Sequence, residues 1–245
     1  MKKTKVILLI ILAFILGLTG CDNGNSPAGS NKYEGKPIVC FGDSLTEGFG
    51  ATEFMAADKS NSYPAFLQKK VKAEVVNAGK SGDTSTDALA RLDKDVLSRD
   101  PGAVVILLGA NDFLDQRPAI EIKADLKVII NILRDEKIKI YFASFIGDSD
   151  WEEAAIKTFL LYSSFPGFES YAGLPALLPD YKKMFSELIS ENDDIEYIAD
   201  IWTGVWGINM SYPDPIHPNA AGYKIMADLI FNEMREYLKE NNLIR

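Results

Sequence analysis

Three residue types in the chain could act together on an ester. His217 is the only histidine, Asp214 lies three residues before it, and prolines at positions 215 and 218 restrict the backbone around them. A serine hydroxyl becomes a strong nucleophile only when a base accepts its proton and a third group orients that base. Ser44, His217 and Asp214 could fill these roles. Taken singly, however, Ser44 could belong to an ordinary turn and His217 to a helix cap.

Composition limits the other kinds of site. The chain has 245 residues, 47% of them hydrophobic, which is enough for one sizeable α/β domain. Two cysteines and one histidine exclude a disulfide framework and the usual zinc modules, and we predict neither a metal site nor a cofactor. The net charge of −9, without a basic cluster, argues against a nucleic-acid partner.

Short apolar runs alternate with longer stretches of helical period along the chain. The predicted strands are 38–41, 74–77, 103–108, 138–143 and 195–199. The predicted helices are approximately 63–72, 85–97, 119–136, 179–190 and 220–238. This alternation favours a parallel sheet with helices on both faces, in which loops at the carboxyl ends of the strands form the site.

Four polar blocks occur in order along the chain, and three of them follow predicted strands. They are Gly42-Asp43-Ser44-Leu45, Gly79, Gly109-Ala110-Asn111-Asp112 and Asp214-Pro215-Ile216-His217. Together they resemble the SGNH or GDSL hydrolase family. The stretches 42–48, 77–92 and 217–222 look like its branch of bacterial acyl-CoA thioesterase I, lysophospholipase and arylesterases. The resemblance implies a three-layer α/β/α, flavodoxin-like fold with about five parallel strands.

The same resemblance implies the roles of the site residues. Ser44 would be the nucleophile, His217 the base and Asp214 its orienting acid. The backbone N–H groups of Ser44 and Gly79 and the side-chain amide of Asn111 would form the oxyanion hole. Plain turn roles for Gly79 and Asn111 are the alternatives. Two further carboxylates compete with Asp214 for the acid role, and we interpret both as acceptors that organise loops: Asp43 and Asp112.

The amino-terminal segment has the pattern of an export signal. Three lysines precede an apolar run over 6–16 that is too short to span a bilayer comfortably. The following Leu18-Thr19-Gly20-Cys21 resembles a bacterial lipobox, which implies acylation of Cys21; an ordinary cleaved signal is the alternative. We predict a signal at 1–20, a lipid-anchored tether at 21–36 and a hydrolase domain at 37–245. Loss of the signal would make the net charge −12.

The segment 146–178 is richer in aromatic residues than a solvated loop. It could pack as an extra helix on the core, or form a lid or wall of an acyl pocket. Trp202, Trp206 and Tyr212 could line the same cleft. We expect an esterase or thioesterase for short to medium acyl esters, similar to a lysophospholipase or arylesterase and lipid-anchored on the extracytoplasmic side of a bacterial membrane. A carbohydrate O-acetylesterase and a non-catalytic ligand-binding lipoprotein remain alternatives.

Overall fold

The computed structural model describes residues 35–53, 56–147, 149–199, 201–211 and 216–245. The predicted signal, Cys21 and nearly all of the predicted tether lie outside these residues. Five strands form one sheet: β1 (Ile38–Gly42), β2 (Val75–Gly79), β3 (Ala103–Leu107), β4 (Lys139–Ala143) and β5 (Glu196–Ile198). The predicted strands are confirmed, with ends that differ by at most two residues.

The sheet is parallel throughout, in the order β2-β1-β3-β4-β5. The central strands β1 and β3 are buried along their whole length, and Ile38 is level with both Val75 and Ala103. Burial on both faces explains why these strands are continuous apolar runs. Cys40 is fully buried in β1, and burial raises the pKa of its thiol to about 12. The prediction of a core cysteine is confirmed.

Helices follow the strands in sequence and form the outer layers of a three-layer α/β/α fold. They are α1 (Ser44–Glu47), α2 (Tyr63–Gln68), α3 (Ser85–Asp95), α4 (Ala110–Leu114), α5 (Ala119–Asp135), α6 (Ser149–Tyr162), α7 (Leu174–Ser190), α8 (Ala220–Glu233) and α9 (Arg235–Glu240). Helix α2 packs against α8, whereas α5 packs against both α3 and α7. Within the described part of the chain, no helix combines the length and apolarity needed to cross a membrane.

The predicted helices differ from the structure mainly at three places. Helix α2 ends at Gln68, four residues before the predicted end at 72. Helix α7 begins at Leu174, five residues before the predicted start, because Pro175 suits the first turn and Pro179 is accommodated inside the helix. The predicted helix 220–238 divides at Met234 into α8 and α9. The aromatic-rich segment contains α6, a 3-10 helix at Glu169–Gly173 and the start of α7.

Candidate active site

Ser44 lies where β1 ends and α1 begins. Asp43 precedes it as the helix cap, and the Oδ1 atom of Asp43 accepts a hydrogen bond from the Leu45 N–H at 2.9 Å. A Cβ atom on Gly42 would lie 2.1 Å from the Thr46 Oγ1 atom and 2.4 Å from the Leu107 carbonyl oxygen, so glycine lets α1 and β3 approach this point closely. This tight turn places the Ser44 hydroxyl at the carboxyl end of the sheet.

His217 lies against Ser44, although 173 residues separate them in the chain. The distance from His217 Nε2 to Ser44 Oγ is 2.8 Å, which is hydrogen-bonding distance. The Phe49 ring lies 4.7 Å from the imidazole, centroid to centroid. The Tyr223 hydroxyl of α8 donates to the Phe49 carbonyl at 2.8 Å. The loop after α1 and helix α8 therefore position the imidazole between them.

Asp214 and Tyr212 lie outside the described residues. The described backbone before Tyr212 pairs with the backbone at His217 and Pro218. The Ser211 N–H donates to the His217 carbonyl at 2.8 Å. Met210 and Pro218 form an antiparallel bridge. The position of the imidazole is thus fixed by its own loop as well as by α8.

The three predicted oxyanion donors differ in whether a protein acceptor already occupies them. The Ser44 N–H, in the first turn of α1, meets no acceptor among the described residues. The Asn111 Nδ2 atom donates to the Asp83 carbonyl at 2.9 Å, which fixes the amide and leaves its second hydrogen for another acceptor. The Gly79 N–H, in contrast, donates to the Asn77 Oδ1 atom at 3.0 Å.

The geometry therefore does not fit the predicted role of Gly79. A Cβ atom there would lie 2.2 Å from the Glu47 backbone nitrogen, so this glycine is needed for close packing of β2 against α1. Gly82, three residues later, is exposed and has φ +85°. Its N–H meets no acceptor in the part of the chain that the structure describes. Gly82 precedes Asp83, whose carbonyl holds Asn111, so it is the better candidate for an oxyanion donor.

Arg91 connects the turn at 80–83 to the end of β1, two residues before Ser44. The Arg91 guanidinium donates to the Gly42 carbonyl at 2.7 Å, to the Ala78 carbonyl at 2.8 Å and to the Asp83 carboxylate at 2.5 Å. It also lies over the Phe41 ring at 4.5 Å. These contacts join the ends of β1 and β2 to the turn that carries Gly82.

Glu47 holds the same turn from the other side. Its Oε2 atom accepts from the Ser81 N–H at 2.8 Å and from the Ser81 hydroxyl at 2.6 Å. Because Glu47 belongs to α1, the turn is fixed relative to the helix that begins with Ser44.

The two rival carboxylates serve local structure. Asp112 is fully buried, accepts from both the Ser85 N–H and hydroxyl at 2.8 Å, and binds Arg117. Asp43 caps α1 through Oδ1, whereas its Oδ2 atom is buried without a partner among the described residues. Burial raises the pKa of Asp43 to about 7, although the Leu45 N–H and the nearby His217 both favour its ionised form.

An apolar cavity of about 40 Å³, open to solvent on one side, lies beside Ser44 and His217. Leu45, Ala110 and Ile216 line it, and each is a direct sequence neighbour of Ser44, Asn111 or His217. The remaining wall is mainly aromatic and aliphatic: Phe113, Leu114, Phe145, Ala155, Thr158, Phe159, Trp202 and Trp206. Trp202 and Trp206 therefore line the cleft, as the sequence predicts.

Comparison with known families agrees with this arrangement. Residues 40–225 match the model of the GDSL-like Lipase/Acylhydrolase family. The chain belongs to this family. Its matched region begins within β1 and ends within α8, so it includes every described residue of the site.

The individual relatives match only part of the chain. Esterase TesA of Pseudomonas aeruginosa is 34% identical over 108 residues, which is 42% of this chain and 51% of the relative. Thioesterase 1/protease 1/lysophospholipase L1 of Escherichia coli strain K12 is 42% identical over 79 residues, 31% of this chain and 35% of the relative. The chain thus spans about half, or less, of the length of these curated relatives.

Solved structures extend the likeness to the whole fold. The crystal structure of TesA superposes with a TM-score of 0.63 and 22% identity, over 82% of this chain and 99% of that chain. At this identity the likeness shows the fold alone, and it confirms the three-layer architecture.

Sequence reasoning missed Gly82 and Arg91 as members of the site. A signal for Gly82 was present, since Ser81-Gly82-Asp83 is a turn sequence just beyond a strand. No local pattern marks Arg91, because its acceptors lie on other elements.

Proposed function

We propose that this chain is a serine hydrolase that cleaves short to medium acyl esters, or the corresponding thioesters, through Ser44, His217 and Asp214. The 2.8 Å contact between His217 Nε2 and Ser44 Oγ carries this proposal. It joins the only imidazole of the chain to the serine of the family motif, in the arrangement that general-base activation requires.

The reaction follows from this geometry. The Ser44 oxygen attacks the ester carbonyl carbon while His217 Nε2 takes the hydroxyl proton. The tetrahedral intermediate then collapses, the alcohol leaves with the proton from His217, and an acyl-serine remains. Water, deprotonated by His217, attacks this acyl-serine and forms a second tetrahedral intermediate. Its collapse breaks the bond to the Ser44 oxygen, which takes the proton back from His217, and releases the acid. Asp214, three residues before His217, is assigned the role of orienting the imidazole and stabilising its charged form.

The negative charge on the former carbonyl oxygen needs donors that are already in place. We assign the Ser44 N–H, the Gly82 N–H and the second hydrogen of the Asn111 amide to this task. Arg91 and Glu47 hold the backbone of the turn at 80–83 in position. They are positioning residues and do not contact the substrate.

Cys21 is assigned to a lipid anchor on the extracytoplasmic side of a bacterial membrane. The lipobox-like Leu18-Thr19-Gly20-Cys21 supports this part of the proposal. In a bacterial host fed radioactive palmitate, the full chain should carry label and sediment with membranes. A Cys21→Ser variant should do neither. Equal labelling of both would contradict the anchor.

Hydrolysis of p-nitrophenyl butyrate by the full chain in detergent tests the reaction. We expect Ser44→Ala and His217→Ala each to reduce kcat by about 10⁴-fold, because the remaining group cannot act alone. Ser98→Ala, at an exposed serine, is the matched control and should keep wild-type turnover. Near-normal turnover in either site variant would refute the mechanism.

Labelling separates an enzyme from a binding protein with the same fold. A fluorophosphonate should modify Ser44 in the wild type and leave the Ser44→Ala variant unmodified. Absence of labelling in a folded wild type would favour the non-catalytic alternative. A steep preference for acetylated sugars over alkyl esters would instead favour a carbohydrate esterase.

A further inference from the structure

Exposed apolar side chains concentrate in the two segments that wall the cavity beside Ser44. Phe159 of α6 and Trp206 both line this cavity. Within the described residues, two of the exposed large apolar side chains belong to α5, Ile120 and Val128. The others follow Phe159 or Trp206 closely in the sequence and are called the apolar patch: Leu160, Leu161, Phe165, Phe168 and Ile208.

Aromatic rings connect the apolar patch to the wall of the cavity. The Tyr162 ring lies 5.8 Å from Phe165 and 6.0 Å from Phe168, centroid to centroid. The Tyr171 ring lies 5.3 Å from Phe168 and 5.9 Å from Phe159. Phe159 is buried and lines the cavity. Tilted and edge-to-face ring contacts of this kind stabilise a fixed arrangement, so the patch is built into the fold.

The turn that carries most of the patch has no charge. Residues 158–168 contain no Asp, Glu, Lys or Arg, although these four types make up 25% of the whole chain. Contiguous exposed apolar surface marks a site of interaction with a protein or a membrane. The turn is therefore suited to an apolar partner.

The same turn already satisfies its own polar groups. The hydroxyls of Ser163 and Ser164 donate to carbonyls three residues earlier, at 2.9 Å and 2.6 Å. Pro166 has no N–H, and the N–H groups of the other residues of 163–168 all donate to acceptors nearby in the sequence. Unpaired polar groups are the main cost of moving a backbone segment into lipid. This turn can therefore leave water at little cost.

The proposed anchor on Cys21 brings a bilayer within reach of the patch. Fully extended, residues 21–34 would span up to about 50 Å. A domain of this size is about 45 Å across, so the anchor allows any face of the domain to meet the bilayer. The anchor also keeps the bilayer at a high local concentration, so a weak apolar contact is enough to orient the domain.

We propose that the apolar patch docks onto the phospholipid bilayer in which the chain is anchored, with the cavity beside Ser44 facing the lipid. This inference rests on the proposed anchor and on the proposed ester hydrolysis. The net charge of −9 gives no attraction to anionic headgroups, so the contact depends on apolar burial. Residues 158–168 thereby place Ser44 on the side of the domain that faces membrane-borne esters.

A fluorescent probe on position 161 tests the contact. The full chain with Leu161→Cys, made in a bacterial host, is labelled with a thiol-reactive probe and reconstituted in phosphatidylcholine vesicles. Cys40 is fully buried and does not react, and Cys21 is assigned to the anchor. The apolar side of a docked segment lies about 5–10 Å below the headgroups. Phosphatidylcholine brominated in its acyl chains should therefore quench this probe at least threefold more than the same probe on Val128→Cys.

Val128 is the matched control because it is an exposed apolar residue in the middle of α5. Adding Phe165→Asp to the Leu161→Cys chain should reduce the quenching to the control level, since a carboxylate resists burial in lipid. Val128→Asp should leave the quenching at position 161 unchanged. Equal quenching at positions 161 and 128 overturns the docking surface, and so does quenching at 161 that survives Phe165→Asp.

The remaining outcomes separate the docking surface from a second copy of the chain and from the proposed function. Energy transfer between donor-labelled and acceptor-labelled chains that persists in a large excess of lipid would show that a second copy covers the patch, and would overturn the docking. None of these measurements requires turnover. An inactive chain with a quenched probe supports the docking and refutes hydrolysis alone, whereas an active chain with an unquenched probe refutes the docking alone. Label on the chain without an introduced cysteine would contradict the anchor, and the shared background leaves the comparison of positions 161 and 128 valid.

Discussion

Replacement of Arg91 should destabilise the fold as well as the site. Its guanidinium makes two hydrogen bonds to backbone carbonyls, one to Asp95 at 3.2 Å and one to Asp83, whose side chain is 4% exposed. Removing one partner of a buried ion pair typically costs about 3–5 kcal/mol. The Gly42 carbonyl keeps a second donor, the Lys80 N–H at 3.1 Å, so the losses do not add fully. We therefore expect Arg91→Ala to lower the free energy of unfolding by about 4 kcal/mol.

Urea unfolding followed by tryptophan fluorescence measures this change. For a domain of this size the same loss corresponds to a fall in Tm of about 8–16 °C. Arg91→Lys should give an intermediate loss, since an ammonium cannot reproduce the planar fork. Arg99→Ala is the matched control: Arg99 is exposed and its Nε donates to the Asp95 carbonyl at 3.0 Å. A loss below about 1 kcal/mol for Arg91→Ala would refute the positioning argument.

Three further substitutions test the turn and the buried acid. In thermal unfolding, Gly79→Ala should lower the Tm far more than Gly82→Ala. At position 79 the new Cβ atom would lie 2.2 Å from the Glu47 backbone nitrogen. At position 82 it would meet nothing within 4 Å, and only the positive φ would be strained. The opposite order would contradict the assigned packing. For Asp43, the folded-state pKa of about 7 lies above the ordinary 3.8, so the stability it contributes is full below pH 4 and is lost as the pH rises to 7. Asparagine does not titrate. The free energy of unfolding of Asp43→Asn minus that of the wild type should therefore increase by up to about 4 kcal/mol between pH 4 and pH 7. A difference that stays constant over that range in urea titrations would exclude this charge effect.

The sheet was predictable because its strands are short apolar runs between turn residues. Helix boundaries were harder where prolines occur: Pro175 permits an early start of α7, and Pro179 lies inside a helix that local rules would begin there. Both helix boundaries depend on long-range packing, which local residue patterns do not show.

The reactive residues were easier to find than the donors around them. His217 stands out as the only histidine and Ser44 by its place in the Gly42-Asp43-Ser44-Leu45 block, and the structure brings them together. The choice between Gly79 and Gly82 depends on the Asn77 side chain and on contacts from Arg91 and Glu47, which the spacing of glycines cannot show. The segment 146–178 allowed two interpretations, and α6 combines them by packing on Phe113 and lining the cavity.

The separation of 173 residues between Ser44 and His217 has a consequence for biosynthesis. As the ribosome makes the chain, β1, β2 and β3 can pair while the imidazole has yet to be translated. Ile244, which is translated after the imidazole, then pairs with Val71 beside α2. The nascent protein therefore gains Ser44 long before His217, so a chain that has not yet been extended to residue 217 lacks the imidazole that this serine contacts.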